Sequence, residues 1–311
     1  MKNYKFSILL PHINEGFLLD IMLDSIYNKV KYDNFEILIA DDGSDNLSDL
    51  NFIKKHPLKN KIKIYYFKSA GPGKIRDFLG KEASGDILIF SDSHMYFVGD
   101  FLVKINKIFN NNDIGILQAT VGDFNNKSLN CEVLYMNKLD GIGYWYSSND
   151  SKQIIEIPMM VGNSTIIKKS IFQKIGGYNV FMVGRGSEDI ELSMRAWLHG
   201  YKCYLTKEIK FIHHFRKSFN NYNVKFENML RNKLIFVYSC FQTKKYIDEF
   251  VKNIRLYYSG YEKSFDNIHN SLLQDKDFFD WVEIQRKNYK YDDNWYLTKF
   301  KQYYDFEKES M

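Results

Sequence analysis

The sequence has little proline, few cysteines and no long apolar run. Its 311 residues include 4 prolines and 3 cysteines, and the cysteines, Cys131, Cys203 and Cys240, lie far apart. An odd number of widely spaced cysteines argues against a disulfide framework and indicates a reducing compartment. The apolar run at residues 6–10 is too short for a signal-peptide core or a membrane span. We therefore expect a cytoplasmic protein without a transmembrane segment, for which peripheral contact with the inner face of the membrane stays open.

A strong excess of charge of one sign is also missing. The formal net charge is +5 and the isoelectric point is about 8.7. This basicity is too weak and too dispersed to predict nucleic-acid binding, whereas it suits an anionic small substrate or a membrane surface. With 45% hydrophobic and 26% charged residues, the composition is that of an ordinary globular protein, which excludes wholesale disorder and a membrane channel.

The composition changes near residue 217. The first 216 residues hold all 4 prolines and 17 of the 18 glycines, whereas the last 95 hold 1 glycine and 23 of the 52 aromatic residues. Turn formers mark many short elements, and their absence indicates a few long helices. One such helix is predicted from apolar residues at helical spacing: Phe226, Met229, Leu230, Leu234 and Tyr238. We predict a catalytic domain over residues 1–216 and a helical extension over residues 217–311 packed on it.

Segments typical of strands and of helices alternate in the first part. Segments with helical spacing at residues 16–28 and 74–82 separate apolar runs of strand length, which lie at residues 6–10, 35–40, 62–67 and 87–90. This alternation predicts βαβ units, a mainly parallel sheet and the α/β class, with residues 62–67 as an exposed or edge strand. Polar clusters follow the strands, where open α/β sheets bind ligands.

Two of these clusters lie at residues 11–16 and 41–45. A carboxylate at the carboxyl end of a strand can accept hydrogen bonds from a nucleobase N–H or from ribose hydroxyls. The alternative is that Asp42 and Ser44 only cap a turn and the next helix. Because the two clusters follow successive strands, ligand binding by both becomes the better interpretation.

The third cluster is Asp92, Ser93 and His94. Residues i and i+2 of an extended segment point to the same side, so Asp92 and His94 could both reach one cation held by a diphosphate. An imidazole ligand favours Mn²⁺ over Mg²⁺. His213 could complete a set of two histidines and one aspartate, and Arg216 could neutralise a leaving diphosphate. A turn with a chance histidine and a surface histidine pair are the alternatives.

A glycine-rich segment with three acids, residues 184–191, comes last. Ser187 is predicted to cap the helix that follows, and Gly200 to end it. Glu188 and Asp189 then lie in the first helical turn, where the helix dipole stabilises carboxylates. Two acids after such a loop also place a base or a sugar-binding group at a cleft edge. Of the two, we favour Asp189 as the group that faces the cleft.

Over roughly residues 4–240, these motifs resemble the GT-A fold glycosyltransferases of the family 2 type. The hallmarks are Asn14-Glu15, the cluster at residues 41–45 and Glu188-Asp189. Most of that family has D-x-D where this chain has D-S-H. The D-S-H motif is similar to that of the polypeptide N-acetylgalactosaminyltransferases. Their I-R, G-G-E-N-x-E-x-S and H-x-F-R segments are echoed here at Ile75-Arg76 and at residues 186–193 and 213–216.

The resemblance implies a role for each matching residue. The nucleobase and ribose would be held by the first two clusters, through Pro11, Glu15, Asp41 and Asp42, with Arg76 nearby. The D-S-H motif, Ser93 included, would contact the donor, and Gly162 would border the sugar pocket. The metal would be held by Asp92, His94 and His213. Catalysis would depend on Asp189, Glu188 and Arg216.

The implied reaction is metal-dependent transfer of a hexosyl or N-acetylhexosaminyl group from a UDP-sugar, with Mn²⁺ or Mg²⁺, to a glycan, lipid-linked glycan or peptide. Inverting members of family 2 use the aspartate of the Glu-Asp pair as base, which would be Asp189. The polypeptide transferases retain configuration and have asparagine there. This chain combines the metal motif of one group with the acid pair of the other, and we favour inversion.

Two other functions stay open. One is a catalytically silent module that binds nucleotide sugar or a partner protein. The other is a sugar nucleotidyltransferase, although the phosphate loop rich in glycine and basic residues, which such enzymes carry after strand one, is replaced by residues 11–16. The aromatic tail could contact the acceptor, form an oligomer or dock on a membrane, but internal packing of its helices is the favoured interpretation.

Overall fold

The computed structural model describes residues 5–111, 114–126, 130–136, 143–146, 150–215 and 225–303, which form a large mixed sheet with helices packed against it. The strands are β1 (Phe6–His12), β2 (Phe35–Asp41), β3 (Ile62–Tyr66), β4 (Ile87–Phe90), β5 (Met95–Phe97), β6 (Ile116–Asp123), β7 (Asn130–Cys131), β8 (Val133–Met136), β9 (Gly143–Tyr146), β10 (Ile154–Glu156), β11 (Thr165–Lys168) and β12 (Cys203–His213). The helices are α1 (Gly16–Lys29), α2 (Pro72–Glu82), α3 (Phe101–Asn111), α4 (Lys169–Lys174), α5 (Glu188–Leu198), α6 (Phe226–Cys240), α7 (Lys244–Tyr257), α8 (Glu262–Leu273), α9 (Lys276–Lys287) and α10 (Asp293–Lys299). Short 3₁₀ helices cover Leu47–Lys54, Lys59–Lys61 and Lys301–Tyr303.

The strand order of the large sheet is β10-β12-β6-β11-β4-β1-β2-β3. β1 pairs in parallel with β2 and β4, and β2 pairs in parallel with β3. β11 runs antiparallel to both its neighbours, β4 and β6, while β12 is parallel to β6. The predicted α/β class with a mainly parallel sheet is confirmed, and the reversed strand β11 is a feature that the alternating pattern did not indicate.

The predicted strands and helices begin and end close to the observed ones. β3 lies at the edge of the sheet and is only half-buried, as the sequence predicted. Helix α2 begins at Pro72, before the predicted start at residue 74. Proline fits the first helical turn because its missing N–H is not needed there.

The centre of the sheet is buried on both sides. Every residue of β2 and β4 is buried, and Ile37, Ile39 and Ile89 are completely inaccessible. Parallel strands that are covered on both faces need such continuous apolar runs. Each fully buried isoleucine or leucine stabilises the fold by roughly 1.5–3 kcal/mol. The sheet is therefore a rigid base for the loops at its carboxyl edge.

Of the helices after residue 225, α6 and α10 pack on α5, and α7, α8 and α9 pack on α6. The Tyr296 hydroxyl donates to the Pro158 carbonyl at 3.0 Å, and Phe300 packs edge-on against Trp197 of α5 with ring centroids 5.0 Å apart. The aromatic-rich helical region is therefore present, whereas its boundary at residue 216 lies outside the described residues and stays a prediction. In the part of the chain that the structure describes, no helix has the length and apolar character to cross a bilayer.

Candidate active site

The loops after β1 and β2 are joined to each other. The backbone N–H of Asn14 donates to the Ser44 hydroxyl at 2.8 Å. The Asn14 side chain donates to the Asp45 carboxylate at 3.1 Å and accepts the Asp45 N–H at 2.8 Å. The first two polar clusters of the sequence therefore form one surface at the carboxyl edge of the sheet, beside Pro11, which pairs with Ala40.

Asp41 and Asp42 of the second cluster both bind backbone groups. Asp41 accepts the N–H of Ser44 at 2.9 Å and its hydroxyl at 2.5 Å. Asp42 accepts the N–H groups of Ala70 and Gly71, at 2.5 and 2.8 Å, just before α2. Burial raises the pKa of Asp42, and these two N–H bonds oppose that shift. The turn-and-cap interpretation therefore describes the contacts that these carboxylates make here, and nucleotide binding by them stays a prediction.

The three predicted metal ligands lie together. The Nε2 atoms of His94 and His213 are 3.0 Å apart, and each is 3.7 Å from Asp92 Oδ2. Antiparallel pairing of β5 with β12 brings the histidines together, and the His214 N–H donates to the His94 carbonyl at 3.1 Å. These separations are those of neighbouring ligands around one ion that lies about 2.1 Å from each. Two imidazoles and a carboxylate fit a divalent transition metal.

Glu15 lies behind the metal ligands. Its buried carboxylate is 2.9 Å from His94 Nδ1 and accepts the Ser93 hydroxyl at 3.0 Å. A carboxylate at Nδ1 holds the proton there and leaves Nε2 free for a metal. The resemblance assigned Glu15 to the nucleobase and ribose. Its place behind His94 had no signal in the sequence, because the two residues are 79 positions apart.

Arg76 connects the metal ligands with the acids of α5. Its buried guanidinium donates to Asp92 Oδ1 at 2.7 Å and to Glu188 Oε1 at 3.2 Å. Although burial opposes ionisation of Asp92, the neighbouring His213 imidazole and the Arg76 charge hold the pKa of that carboxyl well below its usual range. A Cβ at Gly162 would lie 2.8 Å from Arg76 Nη1, so the arginine requires glycine at this position.

The two acids at the start of α5 have different partners. Glu188 accepts the Gly186 N–H at 2.8 Å in addition to Arg76, whereas Asp189 accepts the Gly162 N–H at 3.3 Å. Burial, and then the Glu188 charge, raise the pKa of Asp189 to about 6. A carboxyl group that titrates near neutrality suits general-base catalysis.

Ser187 stands at the predicted N-terminal position of α5, but the prediction that its side chain caps the helix is wrong. Its φ of 65° is left-handed, and the side chain makes no capping hydrogen bond. A capping serine needs an extended backbone to reach the N–H groups of the first turn. Gly200, with φ of 89°, follows the end of the helix as predicted.

Tyr178 is a site residue that the sequence analysis missed. The side chain is buried, and its hydroxyl has no hydrogen-bond partner among the described residues. Its electrostatic neighbours are Arg76, Asp189, Glu188 and Asp92. The turn before it requires Gly177, where a Cβ would lie 2.2 Å from Asp77 Oδ1. The glycine pair before the tyrosine was the available signal.

Most predicted site residues therefore lie together. One connected group contains Glu15, Arg76, Asp92, Ser93, His94, Gly162, Glu188, Asp189 and His213. Pro11, Asp41 and Asp42 lie with the neighbouring loops. Arg216 lies outside the described residues.

Comparison with known families identifies the fold. The family model "Glycosyl transferase family 2" matches residues 7–176, and the model "N-terminal domain of galactosyltransferase" matches residues 146–218. A crystal structure of GalNAc-T7 with UDP, GalNAc and Mn²⁺ superposes with a TM-score of 0.68 at 16% identity, covering 88% of this chain and 57% of that one. This likeness confirms the GT-A fold.

Protein relatives found by sequence match smaller parts of this chain. An uncharacterized glycosyltransferase of Rickettsia felis is 27% identical over 174 residues, which are 54% of this chain and 27% of that protein. A mouse protein named inactive polypeptide N-acetylgalactosaminyltransferase-like protein 5 is 27% identical over 233 residues, which are 66% of this chain and 52% of that protein. The chain thus spans between about a quarter and a half of the length of these relatives.

Proposed function

The chain belongs to glycosyl transferase family 2, and from that premise we propose that it is a metal-dependent glycosyltransferase that uses a UDP-sugar donor. The observation that carries the proposal is the connected group of buried and partly buried residues around Arg76. On one side of it, Asp92, His94 and His213 converge on one point, and on the other lie Glu188 and Asp189. The GalNAc-T7 structure, which holds UDP and Mn²⁺ on the same fold, supports the donor and the metal.

Asp92, His94 and His213 would hold a divalent cation, which supplies charge neutralisation for the diphosphate of the donor. Two imidazole ligands favour Mn²⁺ over Mg²⁺. Glu15 orients His94 from behind, and Arg76 fixes Asp92 from the other side. Because the ligand side chains are already held by hydrogen bonds, little reorganisation is needed when donor and metal bind.

Asp189 is our choice for the base. An acceptor hydroxyl oxygen attacks the anomeric carbon, the bond from that carbon to the diphosphate breaks, and the hydroxyl proton passes to Asp189. This route inverts the configuration. Glu188, held by Arg76 and Gly186, would bind the sugar, and Arg216 would neutralise the leaving diphosphate. The acceptor proposed from the family is a glycan, lipid-linked glycan or peptide.

A catalytically silent module is the second candidate, and the mouse relative whose name includes "inactive" is the observation that favours it. In a silent module, Asp92, His94, His213 and Asp189 would serve no common purpose. The nucleotidyltransferase interpretation gains no support from the family match. The division at residue 216, oligomerisation through the C-terminal helices and a cytoplasmic location remain predictions.

The test is donor binding and slow hydrolysis across a panel of nucleotide sugars, with Mn²⁺ and with a chelator. We expect metal-dependent binding of one UDP-sugar. His94→Ala should weaken Mn²⁺-dependent UDP binding by about 2 kcal/mol or more, as the loss of one metal contact would. His214→Ala, which changes a neighbouring histidine outside the cluster, is the matched control. Absence of binding to every nucleotide would overturn the proposal in favour of a silent module that binds a partner protein.

A further inference from the structure

The basic charge of the chain is concentrated in one segment. Residues 54–68 contain six lysines and no acidic residue. The rest of the chain has 37 lysines and arginines against 38 acidic residues, so this segment supplies the entire net charge of +5. The expectation that the charge is dispersed is therefore wrong. We call the exposed lysines of this segment the basic face: Lys54, Lys55, Lys59, Lys63 and Lys68.

The basic face lies on the outer edge of the sheet. Its segment runs from the 3₁₀ helix Leu47–Lys54 through Lys59–Lys61 into β3, the last strand in the sheet order. A depression of about 230 Å³ is lined by Lys54, Lys59 and Tyr66 together with Asn51 and the apolar residues Leu50, Ile53 and Ile64. Cationic and apolar side chains thus meet on a surface that no further strand of the described chain covers.

Most of this charge is not neutralised within the protein. Lys61 and Lys63 pair with Asp33 and Glu36, at 2.8 and 3.1 Å. Lys54 donates to the Asn51 side-chain oxygen, which is uncharged. Among the described residues, no carboxylate pairs with Lys55, Lys59 or Lys68. An anionic partner would therefore meet several exposed and uncompensated cations.

Exposed aromatic rings flank the basic face. Tyr66 is 57% exposed and Tyr27 of α1 is 52% exposed, and the Tyr27 ring lies 6.3 Å from the ring of His56, the residue after Lys55. Tyrosine is favoured where one end of a side chain meets an apolar phase and the other meets water. The segment contains no arginine, which is the usual residue for bidentate phosphate contacts and base recognition.

We propose that the basic face docks the protein on an anionic lipid bilayer. The lysines lie in the headgroup layer, where clusters of this size bind acidic lipids, and Tyr27 and Tyr66 lie at the interface. The residues after β3 lead to Ala70 and Gly71, whose N–H groups donate to Asp42, so the basic face is continuous along the chain with the loops at the carboxyl edge of the sheet. This inference stands independently of the proposed reaction.

The experiment is co-sedimentation of the full chain with vesicles of phosphatidylcholine, with and without phosphatidylglycerol. We expect binding only to the anionic vesicles, and release at about 0.5 M salt because the Debye length falls to a few ångströms. The triple variant Lys54→Gln, Lys55→Gln, Lys59→Gln should lower the partition coefficient about a hundredfold, at about fivefold per lysine. The matched control removes the same charge from α7: Lys244→Gln, Lys245→Gln, Lys252→Gln.

Three results would overturn the proposal. The first is no binding of the folded protein, checked by circular dichroism, to anionic vesicles at low salt. The second is an equal loss in both triple variants, because binding would then follow net charge rather than the basic face. The third is binding of a single-stranded oligonucleotide that depends on these lysines while vesicle binding does not, which would make the partner a nucleic acid.

Discussion

Two buried arginines, Arg76 and Arg195, differ in how fully their donors are used. The guanidinium of Arg195 makes four hydrogen bonds, two to Glu191 at 2.8 Å and one each to the carbonyls of Gly177 and Ile175, and it stacks on Trp281 at 5.3 Å. Arg76 holds two carboxylates by one hydrogen bond each, and its Nε has no partner among the described residues. A buried hydrogen-bond network in which every donor has a partner stabilises the fold. A buried donor without a protein partner marks a place where a ligand can bind.

Glu191 and Asp189, two acids of α5, also differ in how fully their partners compensate them. Glu191 is completely buried and neutralised by Arg195 one turn later, with Asn179 as a further donor at 3.3 Å. Asp189, two residues earlier, is only partly buried, accepts the N–H groups of Gly162 and Ile190, and forms no ion pair with any described residue. One helix therefore begins in the candidate site and continues into the structural core.

Asp189→Asn should give the largest effect, because it removes the proposed base. We expect turnover to fall by about 10²–10⁴-fold with donor affinity nearly unchanged. Initial rates and calorimetric titration with the donor measure the two quantities. Near-normal turnover would remove Asp189 as base and favour a retaining route.

Opposite effects on stability are expected from two matched amide substitutions in α5. Glu191→Gln leaves Arg195 buried without its counter-ion and should destabilise the fold by about 3–5 kcal/mol. Asp189→Asn removes a partly buried charge that has no ion-pair partner among the described residues, and should stabilise the fold at pH 7. Denaturant unfolding measures both, and a change of the same sign in the two variants would contradict the comparison.

Glu15→Gln tests the support behind the metal ligands. An amide cannot hold the His94 ring as a carboxylate does, so Mn²⁺ affinity should fall about 10–100-fold while the fold stays intact. Calorimetric titration with Mn²⁺ gives the affinity, and Asp20→Asn, at a half-buried acid of α1, serves as the control. Unchanged affinity would mean that Glu15 has no part in the metal site.

The smallest effect concerns pH. Burial and the Glu188 charge raise the pKa of Asp189 to about 6, from 3.8 in the unfolded chain. The folded state therefore binds the proton more tightly, and the charge of Asp189 destabilises the fold progressively as the pH rises from about 4 to 6. The stability difference between Asp189→Asn and the native chain should grow over that window, and turnover should fall below pH 6. A difference that is independent of pH would rule out this titration.

Local signals in the sequence predicted the strands, the helices and the order of the motifs, because periodicity and turn residues report on neighbours along the chain. The convergence of Asp92, His94 and His213 was also predicted, from the D-S-H motif and from the place of His213 after an apolar strand, although Ser93 and His94 lie in a turn rather than in the extended segment expected. The Glu15–His94 contact, the reversal of β11 and the left-handed backbone of Ser187 depend on tertiary packing. A short stretch of sequence does not reveal these features. Periodicity also does not show that Glu191 pairs with Arg195 whereas Asp189 lies in the candidate site.

The packing of α5 also decides whether the chain can be divided near residue 217. Asn179 donates to the Ser239 hydroxyl at 3.1 Å, the Cys240 thiol donates to the Glu191 carbonyl at 3.7 Å, and Trp281 covers Arg195. Cutting the chain at residue 217 would strip these partners and open the buried ion pair to water, next to the helix start that carries Asp189. The parts of the chain before and after residue 217 therefore cannot be exchanged independently of each other. A chimaera that exchanges the C-terminal helices between relatives has to carry α5 together with them.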